Sequence, residues 1–139
     1  RAVSMFDVFR ISGGAVSAQS QRLNVVASNL ANAETVAGPD GRPYKARQVV
    51  FESQQVGGAA SPGGTSVRVS TVVEDDTPGK RVHDPSHPLA DAQGYVTQSN
   101  VNVVEEMVNM ISASRSYQNN IEVMNTTRQL LAKTLQLGE

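Results

Sequence analysis

The stretch "RLNVVASNLANAET", residues 22–35, decides the fold because it ends a helical pattern that begins near residue 4. Along that pattern the apolar and small residues alternate in steps of three and four, which is typical of a stripe that faces another helix. They are Phe6, Phe9, Gly13, Val16, Ser20, Leu23, Ala27 and Leu30. The Gly13–Gly14 pair lowers helix propensity and predicts a bend. The sequence predicts an N-terminal helical segment over residues 1–33.

A second and longer helical pattern occupies the C-terminal segment, residues 99–139. Asn100 or Asn102 can cap its start, and Gly138 suits its end. At ~1.5 Å per residue this helix would be roughly 55 Å long. Its predicted stripe again alternates steps of four and three: Val103, Met107, Met110, Ser114, Tyr117, Ile121, Met124, Arg128, Leu131 and Leu135.

The segment between the two helices, residues 34–98, has a different composition and contains all six prolines of the chain. The runs "YKARQVVF" and "SVRVSTVV" are rich in β-branched residues and predict strands. The Gly/Ser-rich stretch from Val56 to Ser66 predicts a flexible loop, and a short strand is expected near Tyr95 and Val96. We therefore expect an extended linker with one or two β-hairpins or a small sheet.

Two matching stripes at opposite ends of one chain predict an antiparallel, coiled-coil-like pair of long helices. The fold class is therefore mainly α with a small β part, and both termini lie at one end of the pair. Such a pair would place Phe6 and Phe9 near Leu131 and Leu135, and Leu30 near Met107 and Met110.

The helical patterns carry unusually few charges. Residues 11–33 contain only Arg22, and Met107–Thr127 contain only Arg115 and Glu122. A solvated helix face normally carries Lys and Glu in pairs, so a merely polar surface helix is the less favoured interpretation. Neutral amides and hydroxyls can be buried against other chains without the desolvation cost of charges. The sequence therefore favours an assembly subunit whose helices depend on partners for order.

Composition excludes several classes of function. A net charge of −1 in 139 residues gives no electrostatic case for a nucleic-acid or anionic-membrane partner. The absence of cysteine excludes disulfides, zinc–thiolate sites and cysteine catalysis. No apolar run reaches the ~18 residues of a membrane span, and no signal-peptide pattern is visible at the N-terminus.

The stretch "HDPSHP" holds the one cluster that could ligate a metal, through His83, Asp84 and His87. Pro85 and Pro88 exclude the helix that would aim both rings to one side, so an exposed linker is the favoured interpretation. We predict no catalytic, cofactor or metal site. Two alternatives remain open: a coiled-coil adaptor or export chaperone, and a metal-dependent enzyme built around the two histidines.

The two helical segments together resemble the signatures of the bacterial flagellar rod and hook protein family. The N-terminal hallmark is Ala-Ser-Asn-Leu-Ala-Asn, present at residues 27–32 and followed by Thr35 and Gly38. "SNVNVVEEMVNMISASRSYQNNIEVMN", residues 99–125, resembles the paired C-terminal signature. The short length and the linker are similar to the proximal rod members of this family.

The resemblance implies a structural axial subunit of the flagellar basal body, without enzyme activity, cofactor, nucleic acid or small-molecule substrate. Its terminal helices would pack helically into a periplasmic rod that transmits torque and serves as the export channel for motility. Expected partners are copies of itself, other proximal and distal rod proteins, the rod–MS-ring junction protein and the flagellar type III export apparatus. Export would occur without a cleaved signal peptide.

Carried over by position, the family signatures assign subunit packing and inter-subunit hydrogen bonding to residues in both segments. In the N-terminal segment they are Leu23, Asn24, Ser28, Asn29, Leu30, Asn32 and Thr35. In the C-terminal segment they are Val101, Val103, Val104, Glu106, Met107, Ser112, Arg115, Tyr117 and Asn125.

Overall fold

The computed structural model describes residues 4–58 and 61–138. Its elements are α1 (Met5–Ala31), β1 (Arg47–Gly58), β2 (Ser61–Glu74), β3 (Arg81–His83), β4 (Tyr95–Thr97) and α2 (Val103–Leu137). The predicted fold class, two terminal helices joined by a linker with a small antiparallel β part, is confirmed. Positions 1–3 and 139 of the predicted terminal segments, and 59–60 of the predicted loop, lie outside the described residues.

Side-chain caps fix where both helices begin. At the start of α1, Ser4 Oγ accepts from the Asp7 N–H (3.1 Å) and the Ser4 N–H donates to Asp7 Oδ2 (3.2 Å), a reciprocal capping box. At the start of α2, Asn102 Oδ1 accepts from the N–H groups of Val104 and Glu105. Of the two candidate caps, Asn102 is therefore the one that acts on α2.

Both helices end at a capping residue, and neither of these residues adopts the left-handed conformation. The C-cap of α1 is Asn32, with φ −106°, and the Asn32 Nδ2 donates to the Ser28 carbonyl (2.9 Å). Gly138 caps α2 as expected, but in a right-handed conformation with φ −85°.

The β1–β2 hairpin is longer than the sequence predicts. Its antiparallel register runs from Arg47 opposite Glu74 to Gly58 opposite Ser61. The predicted flexible loop over residues 56–66 is therefore wrong for its described part, which lies in the two strands. Cross-strand backbone pairing overrides the low strand propensity of glycine, and Gly57 takes a positive φ of 93° at a register shift, which glycine tolerates.

A second, smaller hairpin precedes α2. The strand expected near Tyr95 forms as β4 and pairs with β3, which the sequence suggests only as extended chain. The His83 ring meets the Tyr95 ring edge-on at 4.9 Å, and Arg81 donates to Asp91 (3.1 Å). The "HDPSHP" stretch is thus the turn region of a short, ordered hairpin.

Helix α1 is the central element, because it packs against α2 and against both strands of the long hairpin. Two contacts show that the helices are antiparallel. Arg22 Nη2 donates to Asn109 Oδ1 (3.2 Å), and Asn29 Nδ2 donates to Glu106 Oε2 (3.1 Å).

The buried stripe of α2 shares Met110, Tyr117, Met124 and Leu131 with the predicted stripe and differs from it at the positions between them. The buried and half-buried residues at heptad spacing are Glu106, Met110, Ala113, Tyr117, Asn120, Met124, Thr127 and Leu131. Met107 (54% exposed) and Leu135 (72%) lie outside the buried stripe of α2. Phe6 (67%) is exposed on α1. The predicted burial of these three residues is wrong, as is that of Val103, Ile121 and Arg128 on α2 and of Ala27 on α1, which are also exposed. The apolar pattern favours the side of the Met110–Tyr117–Met124 row that carries Met107 and Ile121, but the structure buries the other side, where the small Ala113 is fully buried and permits close approach.

The Gly13–Gly14 pair yields a matched test of helix–hairpin packing. A Cβ at Gly13 would meet nothing within 4 Å, whereas a Cβ at Gly14 would overlap Ser66 Oγ and lie 3.2 Å from the Val67 carbonyl oxygen. Gly13→Ala should raise the free energy of unfolding by about 1 kcal/mol through helix propensity alone. Gly14→Ala gains the same propensity but loses hairpin packing, so it should be at least roughly 1 kcal/mol less stable than Gly13→Ala in urea unfolding. Equal stabilities would contradict the observed close approach.

Candidate subunit interface

The side chain of Asn29 joins three segments of the chain. Its Oδ1 accepts from the Tyr44 hydroxyl (2.8 Å) and the Arg47 N–H (3.0 Å). Its Nδ2 donates to the Arg47 carbonyl (2.8 Å) and to Glu106 Oε2 (3.1 Å). Asn29 is fully buried, and these four bonds use both acceptor and both donor positions of the amide. One side chain thus fixes the end of α1 against the start of β1 and the first turn of α2.

Neighbouring polar groups extend this network. Because the Tyr44 hydroxyl donates its one proton to Asn29, the Ser28 hydroxyl must donate to Tyr44 (3.1 Å). The buried Ser99 hydroxyl donates to the Ala33 carbonyl (2.6 Å). Asn100 accepts from the Ala46 N–H (2.7 Å) and donates to the carbonyls of Asp75 and Thr77.

A small apolar cluster of Ala33, Ala46 and Val101, with Tyr44 packed against it, lies beside these groups. We call Asn29, Tyr44, Arg47, Ser99, Asn100 and Glu106, with this cluster, the junction. Sequence reasoning missed Tyr44, Ser99 and Asn100. The sequence signal that could have found them is the concentration of hydroxyl and amide residues next to the end of α1 and the start of α2.

The junction changes what the predicted interface residues in the N-terminal segment can do. The Asn29 amide has no hydrogen-bonding capacity left for a neighbouring chain, so its packing role lies within its own chain. Asn32 and Thr35 bond locally, since Thr35 Oγ1 donates to Asn32 Oδ1 (3.3 Å). Leu23, Ser28, Leu30 and Asn32 are half-buried, and Asn24 and Thr35 are exposed.

The C-terminal segment instead presents an uncovered apolar surface. Val104 (70% exposed), Met107 (54%), Val108 (60%) and Ile111 (56%) lie within two turns of α2, opposite the stripe that packs on α1. We call these four residues the α2 ridge, and Arg115 continues the line at i+4 from Ile111. Contiguous exposed apolar surface is typical of interaction sites.

The structure divides the predicted C-terminal interface residues into an exposed set and a buried set. Val103, Val104, Met107, Ser112, Arg115 and Asn125 are exposed, Tyr117 is half-buried against α1, and Val101 and Glu106 are buried in the junction. The exposed set is available to neighbouring chains, whereas the buried set holds the fold.

Perturbed carboxyl groups occur in the linker and have local structural causes. Hydrogen bonds from the Thr77 hydroxyl and N–H lower the pKa of Asp75, and the Tyr95 N–H, with Gln93 and Arg81, lowers the pKa of Asp91. A carboxyl group with a lowered pKa in the folded state stabilises the fold at pH values above its ordinary pKa of about 4. This stabilisation is lost as the pH falls through the lowered pKa. Both groups therefore secure turns at neutral pH.

The two histidines of "HDPSHP" make local contacts within the small hairpin. His87 Nδ1 accepts from the Leu89 N–H (3.0 Å), while His83 packs on Tyr95. Across residues 4–58 and 61–138, no group of three or more metal-ligating side chains is placed to hold an ion. Within the same ranges, neither helix is both long and apolar enough to cross a membrane.

The junction predicts a large effect of Asn29→Ala on stability. The substitution removes four hydrogen bonds and leaves two backbone groups of Arg47 and the Glu106 carboxylate without this partner. It should lower the free energy of unfolding by about 3 kcal/mol or more, measured in urea. The matched control is Asn24→Ala on the exposed side of α1, which should change stability by no more than about 0.5 kcal/mol. A loss below about 1 kcal/mol for Asn29→Ala would contradict the role of the junction.

Comparisons with known proteins identify the family. The family model "Flagella basal body rod protein" matches residues 9–39, and "Flagellar basal body rod FlgEFG protein C-terminal" matches residues 92–137. The flagellar basal-body rod protein FlgC of Escherichia coli O157:H7 is 56% identical over 137 residues, covering 99% of this chain and 100% of the relative. FlgC of Yersinia enterocolitica is 56% identical over 139 residues and FlgC of Salmonella typhimurium 55% over 137, each with the same coverage. The chain therefore belongs to the FlgC family of flagellar basal-body rod proteins.

Proposed function

We propose that this chain is a structural, non-catalytic axial subunit of the proximal rod, which assembles helically through its paired terminal helices. The assembled subunits would form the periplasm-spanning drive shaft and enclose the channel for exported proteins. The α2 ridge is the observation that carries this proposal. In a single chain it leaves four large apolar side chains in water, and a neighbouring subunit would cover them.

The scarcity of charge around the ridge supports the proposal that this surface is covered by another protein chain and is not exposed to water. From Met107 to Thr127 the charged residues are Arg115 and Glu122, and the remaining polar side chains are amides and hydroxyls. Such groups can bond across a packed interface at a far lower desolvation cost than carboxylates or ammonium groups. Arg115, beside the ridge, would supply one directed contact to a neighbouring chain.

The partners and route follow from the same proposal. The faces of α2 would contact copies of this chain and the other proximal and distal rod proteins, and one end of the assembly would meet the rod–MS-ring junction protein. The subunit would reach the periplasm through the flagellar type III export apparatus, without a cleaved signal peptide. Of the predicted interface residues, those exposed on α2, together with Asn24 and Thr35, would make these contacts.

Substitutions on the ridge should impair assembly while leaving the free chain intact. Ile111→Asn removes an apolar contact, and Arg115→Glu reverses the charge beside it. Each should reduce incorporation into isolated basal bodies by about tenfold, which corresponds to about 1.4 kcal/mol of lost contact energy. Both residues are exposed, so helix content by circular dichroism and the urea midpoint should stay close to the parent values.

The control for these variants is Arg42→Glu, which reverses an exposed charge in the linker away from the ridge. It should be incorporated like the parent chain. Normal rods and motility with both Ile111→Asn and Arg115→Glu would contradict the assigned interface.

Assembly should also change hydrogen exchange unevenly along α2. Within residues 118–137, Thr127 is the one buried residue, whereas Leu135 is 72% and Leu137 88% exposed. Amides of this part should exchange readily in the free chain and become strongly protected in the rod. Amides near Asn29 and Ala113 should be protected in both states. Equal protection of residues 118–137 before and after assembly would argue against burial of this part by neighbours.

A further inference from the structure

Methionine sulfur is the side-chain group most open to oxidation in this chain. The sequence contains no cysteine and no tryptophan, and it has four methionines: Met5, Met107, Met110 and Met124. Two-electron oxidants such as hydrogen peroxide convert thioethers to sulfoxides. Such an oxidant would therefore act on these four residues, and their exposure decides which of them is reached first.

The structure separates Met107 from the other three methionines. Met5, Met110 and Met124 are half-buried, and the last two belong to the buried stripe of α2. Met107 is 54% exposed and is one of the four residues of the α2 ridge. Peroxide in solution should therefore reach Met107 before the others, and it can do so without any opening of the helix pair.

The surroundings of Met107 cannot satisfy a sulfoxide oxygen. The residues three and four positions before and after it are Val103, Val104, Met110 and Ile111, and none of these side chains donates a hydrogen bond. In the free chain, water would bond to the sulfoxide oxygen because Met107 is exposed. Under a covering chain, the same oxygen would be a strong acceptor held in an apolar contact, which opposes burial of the ridge.

We propose that Met107 is a site of oxidative modification, and that its sulfoxide blocks the α2 ridge as an interface. With hydrogen peroxide as the oxidant, the Met107 sulfur bonds to one peroxide oxygen, the O–O bond breaks, and the other oxygen leaves as water after proton transfer. The sulfur loses two electrons and the peroxide gains them. A sulfoxide reductase that uses a dithiol as reductant reverses the change and releases the oxygen as water.

The two parts of the proposal stand on different ground. Selective oxidation of Met107 is a property of the free chain, whereas the effect on the interface rests on the proposed function. The sulfoxide should leave the fold intact, since the residues that pack α2 on α1 are elsewhere on the helix. Oxidation of Met110 or Met124 would instead place a polar group in the packed stripe.

Peroxide treatment of the full chain tests the modification site. Peptide mass spectrometry should show the sulfoxide forming at Met107 at least about threefold faster than at Met110 or Met124. When Met107 is largely oxidised and the other two are not, helix content by circular dichroism and the urea midpoint should match those of the untreated chain. Equal or faster oxidation of Met110 or Met124 would overturn Met107 as the preferred site.

Competition within one cell tests the effect on assembly. Met107→Leu keeps an apolar side chain of similar size but cannot form a sulfoxide. Cells that make the parent and the Met107→Leu chain together should incorporate both into basal bodies in proportion to their supply. Sublethal peroxide during rod assembly should lower the ratio of parent to Met107→Leu chain in isolated basal bodies at least about threefold, because the oxidised fraction is excluded.

The matched control is Met110→Leu, which removes a neighbouring half-buried methionine and retains Met107. In competition with Met107→Leu under peroxide, it should be lost to the same extent as the parent chain. Mass spectrometry of the unassembled chain from the same cells measures the sulfoxide at Met107.

An unchanged ratio in cells whose unassembled chain carries the Met107 sulfoxide would overturn the effect on assembly. Failure of both chains to enter basal bodies without peroxide would overturn the proposed function. In that case the oxidation rates of the free chain would still decide the modification site.

Discussion

The rest of the structure depends on the hydrogen bonds of one buried amide. Asn29 bonds to the Tyr44 hydroxyl, to both backbone groups of Arg47 and to Glu106, and so holds together segments up to 77 positions apart in the chain. The chain has few large apolar residues, and the cluster beside the junction contains two alanines and a valine. Directed hydrogen bonds therefore set the geometry that a larger apolar core would set in an ordinary globular domain.

This constraint has a consequence for function. The Asn29–Glu106 bond fixes the rotation of α2 on α1, so that Glu106, Ala113 and Thr127 face inward. The same rotation turns Val104, Val108 and Ile111 outward and leaves the α2 ridge uncovered. A chain that stabilises its own fold with amides, and keeps its apolar side chains on the outside, is suited to burial by neighbouring subunits.

Local features were predictable, and features that join distant segments were not. The two helices, the end of α2 at Gly138 and the strand at Tyr95 follow from propensity and spacing, which act within a few residues. The same signals left both Asn100 and Asn102 as candidate caps for the start of α2. Local propensity predicts a loop for the Gly-rich residues 56–66, whereas their described part pairs across the hairpin, as Gly57 does with Pro62 and Ser66 with Gln54. Asn29 carries the family signature, yet its bonding partners Tyr44, Arg47 and Glu106 cannot be read from spacing, because all three belong to segments elsewhere in the chain.

The sequence by itself determined the terminal helices, their nearly uncharged faces, the β-branched parts of the long hairpin, the strand at Tyr95 and the resemblance to flagellar rod proteins. Only the tertiary structure decided which side of the Met110–Tyr117–Met124 row is buried, that Gly14 permits the hairpin to approach α1, and that the Asn29 amide is used up within its own chain. Composition and periodicity are properties of short stretches. Burial and hydrogen-bond partnership depend on distances between residues that only the folded chain brings together.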